Sequence, residues 1–142
     1  MSKGFVSRFF TLLLQQKIVK ISKNRYIIPD NLNVRVLRIL FNLIRFTDFN
    51  FKKYPSVKGV GLYGSCARGE NTEDSDIDVW IKIKTRDEDE LAKLTGALKR
   101  ISGKISPLYL TSEKLEVLKR TDKPFYNSLV YGSIKIYGEV IV

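Results

Sequence analysis

The sequence predicts an α/β (α+β) fold: a small mixed β-sheet with flanking helices, preceded by an N-terminal helix and a β-hairpin. Two observations carry this. Short apolar runs bounded by turn residues, at 57–63, 77–83, 104–110 and 134–137, read as strands. Longer segments with apolar residues at helical spacing lie before and between them. A chain of 142 residues with 44% hydrophobic content is ordinary for one domain with a small appendage.

Residues 5–17, FVSRFFTLLLQQK, read as a helix with Arg8, Thr11 and Gln15 along a polar stripe. Residues 18–21 and 25–28 read as short strands joined by Ser22-Lys23-Asn24, and Pro29-Asp30-Asn31 is a break. Residues 32–46 carry the strongest amphipathic pattern. Arg35, Arg38, Asn42 and Arg45 form one stripe, while Val36, Leu37, Leu40, Leu43 and Ile44 occupy the rest. The expectation is that this helix packs against the sheet. A loop with Pro55 leads into the strand 57–63, a short helix starts at Ser65, and 70–75 is a polar loop before the strand 77–83. The helix 87–101 has Asp87 to Glu90 at its start and Lys99-Arg100 at its end, matching the helix dipole. Leu91, Leu94, Leu98 and Ile101 are its core stripe. Pro107 assigns the strand 104–110 to an edge or a bulge. Helices over 112–120 and 125–131 precede the strand 134–137.

Composition removes several chemistries. There is no histidine and one cysteine, Cys66. That excludes an internal disulfide framework and Ser-His-Asp or Cys-His catalysis, and it argues against a zinc site. No apolar stretch approaches the ~20 residues of a membrane span. Residues 9–14 lack the length and the cleavage site of a signal peptide. No membrane association and a cytoplasmic location are therefore expected. The net charge of +10 is uneven: residues 1–60 hold twelve Lys and Arg against two Asp, and 61–142 hold thirteen of each sign. A basic half attracts polyanions, either nucleic acid or an acidic protein surface, or it is simply a solvated face.

The most informative stretch is 61–83, GLYGSCARGENTEDSDIDVWIKI. An apolar run ends in Gly64-Ser65, and ten residues later come Asp76 and Asp78 at the start of a second apolar run. Two apart on a strand, the two carboxylates share a face. Aspartate is depleted in strands, so such a pair needs a reason. Magnesium takes one or two protein carboxylates and completes its shell with phosphate oxygens and water. The Gly-Ser turn leaves backbone N–H groups free for phosphate oxygens, and a helix starting there aims its positive end at them. A second motif overlaps: Gly59, Gly61 and Gly64 fit the dinucleotide fingerprint G-x-G-x-x-G. That fingerprint needs a strand before the first glycine, and 52–58, KKYPSVK, does not read as one. The glycines instead fit a strand approached closely by other groups.

Gly64-Ser65, ten residues, then Asp76-Ile77-Asp78 resembles the signature of the DNA polymerase beta superfamily of nucleotidyltransferases, and most of all its minimal, antitoxin-like members. Arg68-Gly69 and Ser75 also stand where such proteins often have them. The resemblance covers roughly 32–142, but only 61–83 is specific. It implies a nucleotidyltransferase domain over 31–142 behind a basic helix-hairpin extension over 1–30. That extension resembles the recognition helix and wing of a winged helix, without the helices that precede them there. The resemblance further implies magnesium-dependent transfer of a nucleoside monophosphate, AMP from ATP, to an acceptor such as a side chain of a HEPN-type toxin partner. Asp76 and Asp78 would be the catalytic residues and hold one or two magnesium ions. Gly64, Ser65, Arg68 and Ser75 would bind the nucleotide. Arg68 has a competing reading as a surface ion pair with Glu70 or Glu73. The chain departs from the family at the third carboxylate: 104–110 holds no acid, Ser106 or Tyr109 stands where it would be, and Glu113 is the nearest. The alternative is a catalytically degenerate module that binds nucleic acid or a toxin through the basic half, with a homodimer also allowed. An antibiotic-modifying transferase is disfavoured by the missing acid.

Overall fold

The computed structural model describes residues 2–142. It opens with helix α1 (Lys3–Gln15), where the Ser2 hydroxyl accepts the Phe5 N–H at 3.3 Å. Strands β1 (Lys20–Ser22) and β2 (Arg25–Ile27) follow as an antiparallel hairpin with Ser22 opposite Arg25. Its two turn residues, Lys23 and Asn24, have φ of 48° and 59°. That left-handed pair is the turn whose twist matches the strands it joins.

Helix α2 (Leu32–Ile44) leads through a 3-10 turn (Phe51–Lys53) to β3 (Val57–Leu62), α3 (Gly64–Arg68) and β4 (Ile77–Ile83). Helix α4 (Glu88–Ile101), β5 (Ile105–Leu110), α5 (Ser112–Thr121), α6 (Lys123–Tyr131) and β6 (Ile134–Gly138) complete the order. The sheet runs β5-β4-β3-β6, with β4 and β5 parallel and the other pairs antiparallel. This is the mixed sheet expected from the strand pattern. Pro107 lies on β5, an edge strand, where one side of the backbone needs no ladder partner.

Alternation along β4 divides the interior in two. Val79, Ile81 and Ile83 join Leu91, Leu94 and Leu98 of α4 in one core, and Trp80 joins Leu110, Leu115 and Leu129 in the other. Gly61 stands opposite Trp80, and a Cβ there would lie 2.3 Å from the indole ring. A Cβ at Gly59 would lie 2.3 Å from the Glu139 carbonyl oxygen. Both glycines are therefore packing residues inside a strand, and the dinucleotide fingerprint, which needs a strand before its first glycine, has no structural basis here.

Helix α2 corrects the sequence expectation. Its apolar side does not lie on the sheet: Val36 and Ile44 are more than half exposed, whereas Asn42, from the polar stripe, is 2% exposed. The polar stripe faces α3 and the loop behind it. The Asn42 amide donates to the Cys66 carbonyl at 3.0 Å and to Asn71 Oδ1 at 2.9 Å, and Arg38 donates to the Gly69 carbonyl at 3.3 Å. Arg35 pairs with Asp30 at 2.9 Å and Glu70 at 3.4 Å. The backbone carbonyls of the α3 turn need donors when covered, and α2 brings them. Leu43 of α2, with Phe46 just beyond its end, packs against the core of the sheet.

Candidate active site

Asp76 immediately precedes β4 and is exposed, while Asp78, two residues on, is half-buried. Within β4, Asp78 shares the Trp80 side of the sheet by alternation, and the Asp76 charge is close enough to act on it. The turn after β3 is tied to them by backbone: the Tyr63 N–H donates to the Asp78 carbonyl at 3.0 Å, and the Cys66 thiol donates to the Asp76 carbonyl at 3.3 Å. Gly64 has φ +69°, and a Cβ there would stand 2.6 Å from Asp78 Oδ2. Only glycine both adopts that conformation without strain and leaves the carboxylate its place. The Gly-Ser turn and the aspartate pair thus form one constellation.

The electrostatics are those of a site lacking a counter-charge. None of the ion pairs among the described residues involves Asp76 or Asp78. Burial, and then the neighbouring Asp76 charge, raise the Asp78 carboxyl above its ordinary range. Burial and the same Asp78 charge raise the Tyr63 hydroxyl and the Cys66 thiol. Tyr63 was missed by sequence reasoning; it packs edge-on to Phe125 of α6 beside Asp78, and an aromatic residue directly before the Gly-Ser turn was its only signal.

The oxygen-only donor pair fits a hard divalent cation such as magnesium. Among the described residues no three His, Cys, Asp or Glu side chains gather at one point, so the remaining ligands would be water or phosphate oxygens. The parallel register separates the two residues, Ser106 and Tyr109, that the sequence offered for the third position. Ser106 stands beside Asp78 on β5 and shares its face. Tyr109 pairs with Ile81 on the opposite face, where its hydroxyl lies 2.8 Å from Thr95 Oγ1.

The other expected residues are placed less directly. Ser65 is half-buried in the first turn of α3. That helix has five residues, so its free N–H groups, more than a macrodipole, are what it offers an anion. Arg68 Nε pairs with Glu70 at 2.8 Å, the competing reading of that residue. The Ser75 hydroxyl accepts the Thr72 N–H at 2.9 Å and shapes the loop that delivers Asp76.

A small mixed sheet with a carboxylate pair at the start of an inner strand, beside a Gly-Ser turn, is the arrangement of the nucleotidyltransferase class of fold. The sequence profile of the polymerase beta nucleotidyltransferase family matches residues 49–139, and the chain belongs to that family. No curated protein sequence matches it. Among solved structures it is similar to a protein of Sulfolobus solfataricus provisionally described as a nucleotidyltransferase, at 16% identity over 80% of this chain and 98% of that one, with a TM-score of 0.49. It is also similar to a chain of a toxin–antitoxin complex with AMP-PNP (18% identity, 71% and 72% coverage, TM-score 0.43). A third likeness is to a chain in the complex of tri-AMPylated Shewanella oneidensis HEPN toxin with MNT antitoxin (15%, 71% and 73%, 0.42). Among the described residues no helix is long and apolar enough to cross a membrane.

Proposed function

We propose that the chain is a magnesium-dependent nucleotidyltransferase that moves AMP from ATP to an acceptor, and that the acceptor is a side chain of a partner protein. The observation that carries the reading is the contact between Gly64 and Asp78, which fits a phosphate-binding turn and a carboxylate pair to one another. In this reading the Gly64 and Ser65 N–H groups and the Ser65 hydroxyl hold phosphate oxygens. Arg68 reaches the phosphates by leaving Glu70, and Ser75 keeps the Asp76 loop in shape. Asp76 and Asp78 would hold magnesium, which when bound neutralises charge on the reacting phosphates. The catalytic unit is residues 31–142, and residues 1–30 are a basic accessory unit. The protein acceptor rests on the sequence resemblance to antitoxin-like members.

The test is calorimetric titration of ATP with and without magnesium into wild-type protein and Asp76→Asn/Asp78→Asn, followed by incubation with α-labelled ATP and the co-purified partner. Magnesium-dependent binding lost in the double variant, with label on protein, is expected. Binding that persists unchanged in the variant refutes the assignment. Ser106 beside Asp78 favours one second reading, a non-catalytic member that binds nucleic acid or a partner protein. In that case ATP gives no labelled product, and a salt-sensitive gel shift disappears when Lys17, Lys20, Lys23 and Arg25 are changed.

A further inference from the structure

Helices α1 and α2 each expose apolar side chains to solvent, and a groove lies between them. No residue of α1 is buried, and Phe5, Phe9 and Leu12, one stripe on its outer side, are 57%, 49% and 51% exposed. On α2, Leu32, Val36, Leu40 and Ile44 recur every four residues, each about half exposed or more. Between the helices runs a groove of about 510 Å³ lined by Leu12, Leu13, Val36, Leu37 and Leu40, with Gln16 and Asn33 as its polar members. No charged side chain lines it. The arginines of α2 are on its other side, engaged with Asp30, Glu70 and the Gly69 carbonyl.

We infer that this groove is the interface between two copies of the chain, in which α1 and α2 of each copy pack together about a twofold axis. Size is the first argument. Eight side chains on this surface (the seven named and Phe41) are each about half exposed or more. Taking about 150–250 Å² for a large side chain, they offer roughly 800 Å², which is what each partner gives to a standard interface. Four of them, Leu12, Leu32, Val36 and Leu40, line the groove itself, and an apolar patch of this kind on a soluble chain marks an interaction site. Chemistry is the second. Nucleic acid or an acidic protein would need cations in the contact, and the groove has none. Shape is the third. A groove between two helices accepts a helix, and a second copy brings two whose outer stripes repeat at three and four residues.

The experiment is sedimentation equilibrium of the full chain at micromolar concentration in low and high sodium chloride. The expected mass is twice the 16.4 kDa of the chain. Added salt leaves the dimer intact or tightens it, because the groove has no charged lining and the +10 of each copy is screened. Leu40→Glu and Val36→Glu, at exposed positions, weaken association by about a hundredfold or more while circular dichroism melting is retained. Leu40→Ser serves if either glutamate variant fails to fold. A monomer at the highest concentration overturns the inference. So does a dimer that salt dissociates, or one that survives these substitutions.

Discussion

Gly64→Ala tests the constellation at its tightest point. The alanine must adopt φ near +69°, which costs an L-residue about 1–2 kcal/mol. Its Cβ would also stand 2.6 Å from Asp78 Oδ2, so the carboxylate must retreat several tenths of an ångström, adding about 1 kcal/mol. The expected loss is about 2–3 kcal/mol in urea unfolding, a large part of the ~5–15 kcal/mol that holds a domain together. The Asp78→Ala background separates the two causes. There the nearest atom of residue 78 is Cβ at 3.6 Å, an ordinary contact, so only the backbone cost remains. A coupling of about 1 kcal/mol between the substitutions should appear. Gly96→Ala, in α4 with nothing within 4 Å, is the control and should stabilise by about 0.5–1 kcal/mol. Equal costs of Gly64→Ala in both backgrounds would show that Gly64 and Asp78 do not touch as described. A cost below about 0.5 kcal/mol in both would refute the backbone argument as well.

Ser106→Asp restores an acid beside Asp78; it should lower the metal-free melting temperature through like-charge repulsion and tighten magnesium binding in calorimetry, and no change in either would contradict the β4–β5 register. Asp78→Asn should raise metal-free stability at neutral pH. A carboxyl held above its ordinary 3.8 keeps its proton better folded than unfolded, so wild-type stability falls as pH rises from below 3.8 through the folded value; urea midpoints against pH should show that fall in wild type and its loss in the variant. Asn42→Leu leaves the Cys66 carbonyl and Asn71 without their donor and should cost about 1–3 kcal/mol, read from the urea midpoint. Arg68→Ala breaks an exposed pair and should change stability by less than about 1 kcal/mol, while calorimetry should show weaker ATP binding if the side chain transfers to the phosphates.

Periodicity and turn chemistry made the sheet strands, α3 and α4 legible, because their patterns are local. Asp76 and Asp78 stand out as candidates because charge within a strand-like run is conspicuous, and the structure sets Asp78 against Gly64. Two things were not legible. The helical wheel of α2 told its faces apart but not which one meets the protein: the burial of Asn42 depends on the Cys66 carbonyl and the Asn71 side chain, more than twenty residues away. Ser106 and Tyr109 lie three apart on β5 and so on opposite faces, and only the pairing with β4 tells which one neighbours Asp78. Arg68 illustrates a further limit, since motif spacing locates a side chain without saying what neutralises it.

The strand order has a consequence for synthesis on the ribosome. Strands β3, β4 and β5 follow one another in the chain, but the outer partner of β3 is β6, at Ile134–Gly138. Until that segment has emerged, β3 has one open flank, and Gly59 and Gly61 give it no side chains on one face to discourage a foreign strand. The nascent protein therefore passes through a stage in which the strand leading into the Gly-Ser turn is sticky. Premature termination before residue 134 should yield an aggregating product rather than a smaller folded protein.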